Sequence, residues 1–116
     1  MNEFKGINGY KASAILDFTG ETLVSDSASS DIDLAVAGPT FNDIFRAAHA
    51  AAGKVGLMAA SDMVIQTPGG IIVMSCTGVE AKAHLHVVCI LAKDGNQALV
   101  KMAMHKIGPK AMDEVA

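Results

Sequence analysis

The sequence predicts an α+β fold: one antiparallel sheet of five strands with two helices, in the order β-β-α-β-β-β-α. Three observations carry this prediction. Apolar residues alternate with period two in residues 10–18 and recur in later strand-length runs, whereas two other segments repeat at 3.6 residues per turn. Turns bearing glycine or proline separate the strands within each group, and such short connections join antiparallel neighbours. No internal repeat or low-complexity tract divides the 116 residues, which suffice for a single domain with a real core.

In the first strand, residues 10–18, Tyr10, Ala12, Ala14, Leu16 and Phe18 alternate with Lys11, Ser13, Ile15 and Asp17. Thr19, Gly20 and Glu21 make a tight turn, and residues 22–26 return as the second strand. Residues 25–33 form a polar loop rich in serine and aspartate. Residues 34–37 are apolar but too short to assign to strand, turn or helix. The central helix covers residues 39–57: Pro39 and Thr40 start it, Thr40 and Asp43 have the spacing of a capping box, and Gly56-Leu57 suits a left-handed stop. Phe41, Ile44, Phe45, Ala48, Ala52 and Val55 fall on its inward stripe.

Residues 63–66 are the third strand, and Thr67-Pro68-Gly69-Gly70 places proline and glycine for a type II turn. Residues 71–77, an almost continuous apolar run, form a fourth strand buried on both faces. A loop at 78–82 leads to the fifth strand, residues 83–92. Residues 93–96 open the last helix, with Leu99, Val100, Ala103, Met104 and Ile107 on one side. Gly108-Pro109 ends it, so 108–116 reads as a loose tail and 1–9 as a short leader.

The outward side of the central helix is the unusual feature. It carries Ala47, Ala50 and Ala51, with Asp43 and Arg46 near one end and Lys54 near the other. Small outward residues let a second backbone approach closely, which points to a helix–helix interface. Alanine is also the best helix former, so these residues can serve propensity alone. Composition favours the interface: 51% of residues are hydrophobic and 18% charged, leaving little charge to cover the surface.

A net charge of −3, one tyrosine and no tryptophan argue against nucleic-acid binding. No segment reads as a signal peptide or a membrane span, so a reducing, cytoplasmic setting is expected. Cys76 and Cys89 form no CxxC pair and are expected to be small buried hydrophobes.

With Ala14-Ile15-Leu16-Asp17, Gly20, Leu23-Val24-Ser25-Asp26, the alanine-rich helix, the strands around Pro68-Gly69-Gly70, and Leu91-Ala92 before Asp94-Gly95-Asn96, the chain resembles the roadblock family of dynein light chains, in its bacterial and archaeal form. The resemblance runs from about Lys11 to Ile107. It implies a five-stranded antiparallel sheet sandwiched by helices, related to the profilin and longin folds. It also implies a dimer, either homodimer or heterodimer, in which central helices pair antiparallel and third strands join edge to edge. Members of this family bind small Ras-like GTPases as scaffolds or regulators. On this reading the dimer interface comprises Asp43, Arg46, Ala47, Ala50, Ala51 and Lys54, with Met63, Val64, Ile65 and Gln66 as the joining edge. The antiparallel helix pair would set Asp43 of one copy near Lys54 of the other. One departure is the segment before the first strand, where Gly6 and Gly9 leave room for at most about two helical turns and one sheet face is expected to be partly bare.

No catalytic constellation stands out. His84 and His86, two apart on a strand, share a face and could share a metal, with His105 as a possible third donor. Cys89 has the opposite parity, no carboxylate stands nearby on the strand, and His49 and His105 are lone helix residues. The expectation is a non-enzymatic homodimeric module without cofactors, acting on a small Ras-like GTPase. A metal or small-ligand sensor using His84 and His86, or a purely structural subunit, are the alternatives.

Overall fold

The computed structural model describes residues 2–29, 31–78 and 84–115. Five strands build one antiparallel sheet: β1 (Tyr10–Asp17), β2 (Thr22–Ser27), β3 (Asp62–Thr67), β4 (Gly70–Cys76) and β5 (Leu85–Leu91). Their spatial order is β2-β1-β5-β4-β3, so β5 pairs with both β1 and β4 while β2 and β3 are the edges. Two helices cover the sheet, α1 (Leu34–Lys54) and α2 (Gln97–Val115). The element order and fold class are those expected from the sequence.

Strand parity sorts the core into two layers. Ile71, Val73, Leu85, Val87, Cys89 and Leu91 face α2, where they meet Val100, Ala103, Met104 and Ile107. Ile72, Met74, Val88 and Ile90 face α1 with Ala14 and Leu16, packing on Phe45. Every residue of β5 is buried, as a strand must be when it is central and covered on both sides.

Several local expectations are corrected. α1 begins at Leu34, because Asp33 caps it by accepting the Ala35 N–H at 3.1 Å. The undecided residues 34–37 are therefore its first turn, and Pro39 lies inside the helix. Pro39 has no N–H to offer the Ala35 carbonyl, but Ala35 is exposed and water can satisfy it. The Thr40–Asp43 capping box does not form; the Thr40 hydroxyl donates to the Val36 carbonyl at 2.7 Å. The inward face is Gly38, Asn42 and Phe45 with half-buried Phe41, Ala48 and Ala52, whereas Ile44 and Val55 are 43% and 71% exposed. The C-terminal stop does form. Gly56 adopts φ +82°, and Leu57 and Gly56 N–H groups bond the Ala52 and Gly53 carbonyls at 2.9 and 3.2 Å.

The β3–β4 turn is not type II, since Gly69 is outside the left-handed region; the Thr67 hydroxyl instead accepts the Gly69 N–H at 3.2 Å. α2 does not end at Gly108-Pro109 but runs through Pro109 to Val115. Buried Ile107 and Gly108 hold it against the sheet up to the proline, and Lys110 pairs with Glu3 at 2.9 Å just beyond. The leading segment covers part of the sheet, while β2 stays exposed, Leu23 at 45% and Val24 at 44%. A 3-10 turn at Asn2–Phe4 inserts Phe4, 0% exposed, into the α2-side layer against Tyr10. Of the expected 78–82 loop, residues 79–82 lie outside the described residues, as does Ala83 at the start of the expected fifth strand.

Candidate functional site

The outward face of α1 is open. Asp43, Arg46, Ala47, Ala50, Ala51 and Lys54 line it, and among the described residues Asp43 and Lys54 make no ion pair. Arg46 leans off this face, its guanidinium 5.9 Å from the centre of the Phe18 ring. The same surface carries large apolar groups that sequence reasoning missed or turned inward: Val36 is 62% exposed, Ile44 43%, Val55 71%, Leu57 72% and Met58 80%. Met58 also has φ +68°, a left-handed backbone that costs a residue with a side chain about 1–3 kcal/mol. The signal for this patch is the helix phase: once Asn42 and Phe45 point inward, Ile44 and Val55 cannot.

β3 follows directly and is an unpaired edge. Met63 and Ile65 pack into the α1-side layer, Val64 into the α2-side layer, and Gln66 is exposed. The expected interface residues therefore lie on one helix face and the sheet edge that shares its layer.

Beneath α1 lies a second constellation. His86 is fully buried on β5, directly across from Cys76 in the β4–β5 register. His84 stands just before β5, and His49 reaches in from α1, four residues after Phe45 and thus on the same helix face. His86 Nε2 is 3.3 Å from His49 Nε2 and 3.2 Å from His84 Nε2. One donor atom from each of His49, Cys76, His84 and His86 lies within 4.8 Å of every other. The sequence pairs His84 with His86 and suggests His105 as a third donor, but His105 is exposed on α2 and does not belong to the group.

The rings are held in place. Phe45 lies 4.5 Å from His49 and 4.8 Å from His86, centre to centre, and Phe18 stacks on His84 at 5.3 Å. Asn42, itself 0% exposed, donates from Nδ2 to the Phe18 carbonyl at 3.0 Å and turns Oδ1 toward His86 Nδ1 at 2.6 Å. That amide orientation makes His86 Nδ1 the N–H donor and leaves the lone pair on Nε2. Burial, followed by the neighbouring His84 and His49, pushes His86 down to about 4, and burial lowers His49 and His84 as well. His86 is accordingly neutral at pH 7, and the shifts of His49 and His84 favour their neutral forms. The Cys76 thiol is pushed up by burial, opposed by a Gly78 N–H pointing at Sγ from 3.2 Å.

A cleft of about 300 Å³, with Cys76 in its lining, opens between β3, β4 and α2, where Lys101 and Asp62 approach to 3.9 Å. Among the described residues no helix is long and apolar enough to cross a membrane.

No protein-family model matches this sequence, and no curated protein does. Solved structures do. A roadblock/LC7 domain from Streptomyces avermitilis aligns with a TM-score of 0.83 at 9% identity, covering 98% of this chain and 92% of that one. MglB in a tetrameric arrangement gives 0.79 at 17% identity over 99% of this chain and 82% of its own. The gliding protein MglB from Thermus thermophilus gives 0.76 at 17% identity, over 99% and 83%. At identities this low the likeness is one of fold.

Proposed function

Because the chain has the roadblock/LC7 fold, we propose that it is a non-catalytic protein-interaction module, dimerising through α1 and β3 and serving as a scaffold or regulator of a small Ras-like GTPase in the cytoplasm. The observation that carries this reading is the exposed face of α1, small at Ala47, Ala50 and Ala51 and apolar at Val36, Ile44, Val55, Leu57 and Met58, beside an unpaired edge strand.

Magnitudes decide how the two elements share the work. Half-burying those large side chains on both copies gives roughly 8–15 kcal/mol at ~1.5–3 kcal/mol for each one fully buried. Association costs ~4–15 kcal/mol in lost freedom. The helix contact is therefore comparable to that cost, and pairing of two β3 edges adds to it through backbone hydrogen bonds. Asp43 of one copy meeting Lys54 of the other adds only ~0–1 kcal/mol, and so fixes register more than affinity. The tetrameric arrangement described for MglB agrees with a fold that works by assembly.

The partner is tested by capture from the source organism's lysate on the immobilised chain, with excess GDP or a non-hydrolysable GTP analogue. A Ras-like GTPase enriched in one nucleotide state is the expected result. Recovery of none, or equal recovery in both states, would remove the regulatory role and leave a structural scaffold.

A further inference from the structure

We propose that His49, Cys76, His84 and His86 form a tetrahedral metal centre for a borderline-soft divalent transition ion, zinc foremost, that fastens α1 to β4 and β5. The site stands independently of the dimer and its partner.

Geometry comes first. With zinc–nitrogen bonds of about 2.0–2.1 Å, the nitrogens of a tetrahedral site lie about 3.3–3.4 Å apart. The Nε2–Nε2 separations here are 3.2 and 3.3 Å, so three imidazoles already approximate edges of that tetrahedron. All four donors lie within 4.8 Å of one another, at most about 1–1.5 Å beyond a tetrahedral edge. His84 and Cys76 are only half-buried, and small side-chain rotations close that gap.

Hydrogen bonding does not account for the arrangement. The Asn42 contact leaves a single in-plane lone pair on His86 Nε2, yet two other imidazole nitrogens converge on it. One N–H can be accepted well along that lone pair, and the second ring is left with a poor contact. His49 Nδ1 is buried without a hydrogen-bond partner among the described residues, so its Nε2 is the ring's one polar contact. A cation at the centre satisfies all three lone pairs together. Outer contacts of the kind a metal ligand needs hold two of the four: a carboxamide fixes the His86 tautomer and a backbone N–H meets the cysteine sulfur, while aromatic rings fix the imidazole planes.

The donor set chooses the ion. Three imidazoles and a thiolate without a carboxylate suit zinc, cobalt or copper and reject magnesium and calcium. Cys76 binds as thiolate, its proton passing to solvent. Four protein donors complete a tetrahedral shell with no open position, so the centre is structural or regulatory and not hydrolytic.

The test uses the full chain, purified without an affinity tag, stripped with chelator and reloaded with zinc or cobalt(II). Elemental analysis after gel filtration should give one metal per chain. Cobalt should produce tetrahedral ligand-field bands with a thiolate charge-transfer band, and zinc should slow alkylation of Cys76. Cys76→Ser should abolish the charge-transfer band, and His84→Ala should weaken binding by more than the roughly 10–100-fold that loss of an outer-shell partner costs. Both sites are half-buried and avoid the fully buried His86, and the cobalt spectrum and thiol protection of the unsubstituted chain stand whether or not a variant folds. Substoichiometric metal in the unsubstituted chain, cobalt binding without a thiolate band, or one equivalent retained in both folded variants would overturn the proposal.

Discussion

Asn42 is the residue whose replacement reports most clearly on how α1 is fixed to the sheet. It is 0% exposed and bridges three elements: its own helix, the Phe18 carbonyl after β1 at 3.0 Å, and His86 of β5 at 2.6 Å. Asn42→Ala leaves the buried His86 Nδ1–H unpaired, which costs about 1–3 kcal/mol. The partly buried bond to Phe18 contributes a further ~0.5–1.5 kcal/mol. The expected loss is therefore roughly 2–4 kcal/mol, a large part of the ~5–15 kcal/mol typical of a domain. Urea unfolding of both chains, at one protein concentration because self-association would link stability to concentration, measures it. Asn42→Asp keeps an acceptor for His86 but buries a carboxylate and sets its second oxygen against the Phe18 carbonyl, so it too should destabilise. A loss below about 1 kcal/mol for Asn42→Ala would refute the bridge as an anchor of α1.

Three further substitutions probe other parts of the account. Phe4→Ala should destabilise by about 3–5 kcal/mol, since the ring is wholly buried against α2; an unchanged urea midpoint would show the leading segment to be dispensable. Asp43→Lys should weaken dimerisation up to about fivefold, and the exchange Asp43→Lys with Lys54→Asp should restore it, read by sedimentation at low salt. Failure of the double exchange to recover affinity would exclude the antiparallel register. Glu3, hydrogen-bonded to Lys110, has its carboxyl lowered from 4.5 to about 2. A depressed carboxyl contributes stability above its unfolded value, lost as pH falls through the folded one. The deficit of Glu3→Gln, small because Lys110 is 68% exposed, should thus be present at pH 7 and vanish between pH 4.5 and 2, as followed by thermal melts.

The strands are legible because their chemistry is local. Period-two alternation assigns β1, and the glycines and prolines at Gly20, Pro68 and Gly69 mark the hairpins. Helix limits are less so. Thr40 and Asp43 imitate a cap, whereas the working cap is Asp33, hidden in a polar loop where every residue looks alike. Phasing α1 on its largest apolar residues puts Ile44 and Val55 inward. Asn42 in fact faces inward, because its partner His86 lies 44 residues away, and nothing local announces that bond. Pro109 reads as a stop, but helix ends are decided by packing as well as propensity, and Ile107 packs in the core beside it. His49 is within reach of sequence reasoning: Phe45 reads as inward, and four residues on lies the same face. Cys76 is not, because only the β4–β5 register sets it opposite His86. The outward alanines of α1 are legible, and Ala47, Ala50 and Ala51 all stand exposed.

The measurement that tests the central claim most directly is the solution mass of the chain and of Ala50→Glu, by sedimentation equilibrium across low micromolar concentrations. Ala50 is exposed, so the substitution leaves the core untouched, and a buried unpaired carboxylate would be costly in a close helix pair. A dimer of the 12.0 kDa chain that becomes monomeric in Ala50→Glu is the predicted result. A monomeric unsubstituted chain, or a dimer whose mass the glutamate leaves unchanged, would contradict assembly through α1.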